Sequence, residues 1–206
     1  MIRRVMVATA AAALVLSGCS GNAPAAAPAS VSGQASAGPS LLDLRTAAGI
    51  GACPASDLGA TATGTGLPAT LFDCLGGDSK VNLAGLPKGE PIVLNFWAQW
   101  CGPCRQEGPI LGQVYAKAKG KVRMLGVMEV DPDPGSAIAL AKHDGMLYPM
   151  MVDPDGKART ALRVTALPQT IFIDAHGVVV KRVVAAFDSP QQLEATIQQT
   201  FGVTLG

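Results

Sequence analysis

Trp100-Cys101-Gly102-Pro103-Cys104 is the stretch of this chain best equipped for covalent chemistry. The apolar run Ile92–Trp97 before it reads as a buried strand, and the segment after it has helical spacing. A sulfur placed where a strand hands over to a helix meets unpaired backbone N–H groups and the positive end of the helix dipole, which favour thiolate over thiol. A thiolate with a second thiol three positions on can attack a disulfide and then resolve the mixed disulfide itself. The chemistry is thiol–disulfide exchange, with Cys101 as the attacking sulfur and Cys104, a turn inside the helix and more shielded, as the resolving one. A zinc half-site is the competing use of such a pair, but it needs a second close pair or histidines at metal spacing. Cys53 and Cys74 are far apart and only His143 and His176 are present, so no metal is expected. A copper chaperone would need a differently spaced pair.

The rest of the chain says where this chemistry takes place. Arg3 and Arg4 followed by the apolar stretch Val5–Leu16 have the form of an export signal, too short for a comfortable transmembrane helix. Leu16-Ser17-Gly18-Cys19 looks like a lipobox, which implies that residues 1–18 are a lipoprotein signal peptide and that Cys19 becomes a lipidated N-terminus. The plain alternative is a secreted chain in which Cys19 falls near the cleavage site by chance. No later stretch approaches the apolar length of a membrane span, so attachment would rest on lipid alone. Lys and Arg number 16 against 15 Asp and Glu with no basic cluster, which argues against nucleic acid or polyphosphate partners. Setting Cys19 aside, four cysteines remain, an even number suited to an oxidising compartment. With Cys101 and Cys104 paired locally, Cys53 and Cys74 are left for one another, as a structural bridge or, less in keeping with their spacing, a second redox pair. Such a bridge would stabilise by roughly 3 kcal/mol in the chain-entropy model.

Residues 20–40 are mostly Ala, Pro, Ser and Gly with no charged or aromatic residue, so residues 19–52 are expected to form a lipid-anchored flexible tether, with Leu41–Ala52 ambiguous between tether and short helix. A domain over residues 53–206 should follow. Within it, Thr70–Leu75 and Lys80–Leu83 read as an N-terminal β-hairpin. Helices are expected over Cys101–Lys119 (with Pro109 inside it, a predicted kink), Asp133–Asp144, Lys157–Arg163 and Ser189–Phe201. The last opens with a capping box, Ser189 and Gln192. Strands are expected over Val122–Val130, Tyr148–Val152, Gln169–Asp174 and Val178–Val184. Alternating strands and helices closed by a hairpin argue an α/β fold, a mixed central sheet with helices on both faces.

Residues 67–201 resemble a thioredoxin-fold domain, most closely the membrane-anchored TlpA/ResA type of bacterial envelopes. The resemblance rests on Asn95–Cys104, Glu107, Pro109 and Leu167-Pro168-Gln169-Thr170, and on residues 126–146, which look like the TlpA-type strand–helix insertion. It implies that Pro168 is held in cis beside the dithiol and that the backbone of Leu167 meets the substrate strand. Trp100, Gly102 and Pro103 would complete the substrate-binding surface, with Trp100 covering the dithiol and Trp97 packing under the sheet. The chain departs from thioredoxin at Asn95, where that protein carries a proton-accepting Asp. Glu107, three residues after Cys104 on the same helical face, matches a Glu of the TlpA/ResA type and is the candidate for tuning the thiols or relaying a proton; the alternative is a solvated surface Glu. Glu129 and Asp131 end a strand, at the rim of the site. His143 and His176 read as a helix face and a turn, and Met124, Met128, Met146, Met150 and Met151 as core filling.

The resemblance implies a lipid-anchored protein-disulfide oxidoreductase on the extracytoplasmic face of the cell membrane, a monomer needing no cofactor beyond its own dithiol. Exported protein thiols or disulfides would be its clients and a membrane protein its electron donor. Gly-Pro between the cysteines is thioredoxin's own pair, whose potential lies near ~−270 mV against about −120 mV for a strong periplasmic oxidant. The expected direction is therefore reduction, with apocytochrome c or a similar exported dithiol as client. An oxidant that installs disulfides is the runner-up. A peroxiredoxin-like peroxidase fits less well, because that chemistry wants Thr or Ser ahead of an isolated cysteine, whereas Trp100 precedes Cys101 here.

Overall fold

In the computed structural model, which describes residues 38–206, Ile92–Trp97 forms strand β3 and all six of its residues are buried. It is central: β4 (Arg123–Glu129) pairs parallel on one side and β6 (Gln169–Ile173) antiparallel on the other. A strand covered on both faces needs no polar alternation, which is why it reads as a continuous apolar run. β5 (Met150–Asp153) continues the parallel part beside β4. The hairpin β1 (Leu71–Cys74) and β2 (Lys80–Asn82) adds antiparallel to β5, and β7 (Val179–Val183) closes the other edge against β6. The order is β2-β1-β5-β4-β3-β6-β7.

Alternation along β3 divides the core. Val93 and Trp97 point to the face covered by α1 (Leu41–Ala48), α2 (Gly102–Ala118), α3 (Pro134–Asp144) and α5 (Pro190–Phe201), where Met124, Met128, Met146 and Met150 fill space as expected. Ile92, Leu94 and Phe96 point to the opposite face, which holds Met151 and carries only the five-residue α4 (Lys157–Ala161), a turn of 3₁₀ helix at Leu83–Gly85 and the chain leading into β1. Helices do lie on both faces, but the coverage is lopsided. Trp97 is in the core. Pro109 sits inside α2 without ending it, although its ring nitrogen cannot donate to the Arg105 carbonyl.

Several expected boundaries and one expected cap differ in the structure. Residues 1–37, with the signal segment, Cys19 and most of the tether, lie outside the described residues. The folded part nevertheless begins before Cys53: α1 has a full capping box at Ser40 and Asp43, ends at a left-handed Gly49, and buries Ala48 and Arg45. Arg45 reaches the Leu75 carbonyl at 2.8 Å and the Asp78 carboxylate at 2.8 Å, so a helix too short to declare itself by apolar periodicity is held by one buried cation. The strand expected to run to Val130 stops at Glu129, because Val130 has φ +47, and the helix expected to reach Arg163 stops at Ala161, with Arg163 at φ +54. At α5, Ser189 accepts the Gln192 N–H, but the Gln192 side chain reaches back to Asp188 N–H, so only half of the capping box forms.

Candidate active site

β3 ends at Trp97, and the chain turns through Ala98–Trp100 into the head of α2. Three contacts hold that turn. Cys101 N–H donates to the Ala98 carbonyl (3.2 Å), Gln99 N–H to Asp131 Oδ2 (2.7 Å), and the Trp100 indole N–H to the Val130 carbonyl (3.1 Å). Asp131, left at the rim by the sequence reading, is thus a clamp on the loop that carries the dithiol. Val130 is a β-branched residue in the left-handed region, a costly conformation that aims its carbonyl at the indole.

Cys101 is the N-cap of α2, and its sulfur accepts the Cys104 N–H at 3.2 Å. That N–H would be orphaned at a helix start, and it faces a sulfur that becomes anionic on reduction. The dithiol is oxidised here, with Cα atoms 5.3 Å apart. Both cysteines are nearly covered, at 5 % exposure for Cys101 and 3 % for Cys104, so Cys101 is not the openly exposed residue that its helix-start position predicts. The asymmetry is one of access: Cys101 lines a surface groove together with Trp100, Gly102, Pro103 and Leu167, and Cys104 does not. Trp100, 52 % exposed, forms the outer lip.

The antiparallel register of β3 and β6 sets Phe96 opposite Gln169. Pro168 therefore falls just past the end of the pairing, level with the loop that carries the dithiol. The Leu167–Pro168 peptide bond is cis, as the resemblance implied. Gln169, buried, accepts the Thr165 N–H at 3.1 Å and so braces the loop that walls the groove.

On the α2 face of the sheet, Glu107 is fully buried, which rules out the solvated-surface reading. Its Oε1 accepts the Phe187 N–H (3.1 Å) and its Oε2 accepts from Asn95 Nδ2 (3.2 Å), whose second hydrogen goes to Thr170 Oγ1 (3.1 Å). Burial pushes the Glu107 carboxyl up to about 7, against the two hydrogen bonds that favour its charged form. Tyr148 packs in the same buried region, and burial, with the Glu107 and Asp144 charges adding, holds its phenol well above the usual range. Asn95 thus takes no proton itself but positions a residue that can. Asn95 stood out in the sequence only as a departure, and Phe187 as a Glu107 partner had no signal at all.

The second disulfide, Cys53–Cys74, is formed as expected, with Cα atoms 5.9 Å apart. It is remote in kind from the first: Cys74 is completely buried in β1, and Arg45 Nη1 lies 3.3 Å from its sulfur. His143 and His176 lie on a helix face and in a turn, both exposed.

A redox dithiol at a helix N-terminus, facing a groove walled by a cis-proline loop on a mixed sheet, defines a thioredoxin-fold thiol–disulfide exchange enzyme. Residues 62–197, well over half the chain, match the family model described as Redoxin, and the chain belongs to that family. It is similar to the thiol-disulfide oxidoreductase ResA of Bacillus cereus (30 % identical over 120 residues, 58 % of this chain and 68 % of the relative). It is also similar to the thiol:disulfide interchange protein DsbE homolog of Paracoccus denitrificans (34 % over 105 residues, 50 % and 56 %). Among solved structures, a DsbF homologue from Corynebacterium diphtheriae aligns with TM-score 0.56 at 26 % identity, covering 72 % of this chain and 99 % of that one. A secreted disulfide oxidoreductase of Mycobacterium tuberculosis aligns with TM-score 0.53 at 27 % identity, covering 62 % and 92 %. The protein is a TlpA/ResA-like protein-disulfide oxidoreductase.

Proposed function

We propose that this protein works outside the cytoplasm, anchored by lipid on Cys19 to the outer face of the cytoplasmic membrane, and reduces disulfides in exported proteins such as apocytochrome c. One observation carries the exchange reading: Cys101 lines the groove beside the cis-proline loop while Cys104 is sealed behind it. The names of the ResA and DsbE relatives support the client class, and the secreted relative supports the compartment. Asn95, Gln169 and the Thr165–Leu167 wall belong to the same machinery.

In the reduced enzyme, the Cys101 thiolate attacks a client sulfur, forming a mixed disulfide and expelling the other client sulfur as thiolate. Cys104 then loses its proton and attacks Cys101 Sγ, which releases the second client thiolate and leaves Cys101–Cys104 oxidised. Two electrons have passed to the client. Glu107, with its carboxyl poised near neutrality, is the base one helical turn from Cys104 and takes the Cys104 proton. Leu167 presents backbone to the client strand. A membrane dithiol protein restores the reduced state, the enzyme acts as a monomer, and no cofactor beyond the dithiol is needed.

The potential of the Cys101–Cys104 pair tests the direction. A value near thioredoxin's ~−270 mV is expected, and one near about −120 mV would make the protein an oxidant that installs disulfides.

A further inference from the structure

The groove is lined by an ion pair, Glu129 and Arg159, that the exchange reaction does not use. Glu129, the last residue of β4, is 1 % exposed yet lines the groove together with Cys101. It lies on the sheet face opposite Glu107, since Leu125 and Val127 of the same alternation pack with α4. Its Oε1 is buried and has no hydrogen-bond partner. Its Oε2 meets only Arg159 Nη2 of α4, at 3.3 Å. The other charge nearby, Asp153, sits opposite it in the register of β4 and β5, but the Asp153 oxygens are taken by the Lys157 and Ala158 N–H groups. Asp153 therefore adds negative charge and offers no donor.

The two partners of this ion pair differ in freedom. Glu129 is fixed in a strand, buried, and flanked by the left-handed Val130 that ends the strand. The Arg159 side chain is 56 % exposed and can swing into water at small cost. A buried carboxylate with an unfilled acceptor is costly until a donor reaches it. The fixed charge thus sets which ligand the groove accepts, and the mobile one holds its place while the groove is empty.

We propose that Glu129 is a specificity residue that receives a cationic side chain of the client, a Lys or Arg beside the attacked cysteine, with Arg159 as its displaceable stand-in. The client strand lying along Thr165–Leu167 brings that side chain over the groove floor while its cysteine meets Cys101. The ammonium or guanidinium replaces Arg159 at Oε2 and satisfies the empty Oε1, a charge-assisted bond in a shielded site. An acidic residue in the same place would face Glu129 and be rejected. The proposal rests on the reading that polypeptide disulfides are the substrates of Cys101.

The test uses the reduced full-length protein and three peptides that differ only at the residue beside the attacked disulfide: Lys, norleucine or Glu. Turnover of the norleucine peptide tests the exchange reading alone, and its absence would count against that reading rather than against Glu129. The Lys-to-norleucine ratio of kcat/KM tests the proposal, and about tenfold is expected for one shielded charge pair. In Glu129→Gln that ratio should fall to near one, and in Arg159→Ala it should rise, because the stand-in is gone while the carboxylate stays. Arg159 is exposed, so its variant folds even if the Glu129 variant does not. A wild-type ratio near one, or a ratio unchanged or lowered in Arg159→Ala, overturns the proposal.

Discussion

The two disulfides of this molecule are made of the same atoms and do different things. Cys101–Cys104 spans three positions at the head of α2, its first sulfur accepts a helix N–H, and it faces a groove. Cys53–Cys74 spans 21 positions, ties the chain ahead of the hairpin to β1, and has Cys74 under a buried arginine. A short loop gives little chain-entropy stabilisation, and a helix start favours thiolate; a long loop stabilises, and burial denies access to an attacking thiol. Position in the fold, more than the cysteine pair itself, separates a reagent from a staple.

The largest contrast should come from removing one sulfur of each pair. Cys104→Ser should abolish turnover, by at least about a hundredfold, and accumulate mixed disulfides on Cys101, because the resolving thiol is gone. Cys74→Ser should leave exchange in place. Turnover assays with non-reducing gels check both, and clients trapped on Cys53 in the Cys74→Ser variant would make that bridge a second redox site.

Stability should reverse the ranking. Loss of Cys53–Cys74 is expected to cost roughly 3 kcal/mol in urea unfolding, whereas loss of Cys101–Cys104 should cost distinctly less. Under graded reductant the Cys101–Cys104 bond should open first, and mass spectrometry after alkylation reads the order. A simultaneous opening would erase the distinction.

Glu107 sharpens the comparison through pH. Its folded value, about 7, lies above its ordinary one, so between pH 4.5 and 7 the folded state holds a proton that the unfolded state has lost. Stability from this group is therefore full below that window and falls as pH rises through it, by up to roughly 3 kcal/mol. Glu107→Gln should flatten that slope in unfolding curves measured at several pH values. It should also shift the pH profile of exchange, since an ionised Glu107 beside the dithiol holds the Cys104 thiol protonated to higher pH. Superimposable curves would reduce Glu107 to packing.

The smallest effect concerns the groove lip. Trp100→Phe removes the indole N–H to the Val130 carbonyl, a loss of about 1 kcal/mol, and should speed alkylation of Cys101 in the reduced domain a few-fold with Cys104 little changed. Equal acceleration at both sulfurs would mean that access does not set their roles.

What was legible in the sequence was local. Ile92–Trp97, the cap at Ser189, the N-terminal hairpin strands and the cysteine spacing each carry their information within a few residues, because helix caps and strand periods are satisfied by near neighbours. The attacking sulfur, the cis-proline loop and the second bridge could be named on that basis together with a family likeness. The tertiary structure alone decided the rest. Glu107 is buried because the Phe187 N–H, 80 residues away, and Asn95 of β3 close over it. Arg45 turns a stretch read as tether into part of the domain by reaching Leu75 and Asp78. Glu129 and Asp131, two residues apart at one strand end, part company because Val130 reverses the backbone between them: one is buried in the groove and the other clamps the dithiol loop. Charge state and access depend on which distant groups exclude water from a side chain, and no periodicity along the chain encodes that.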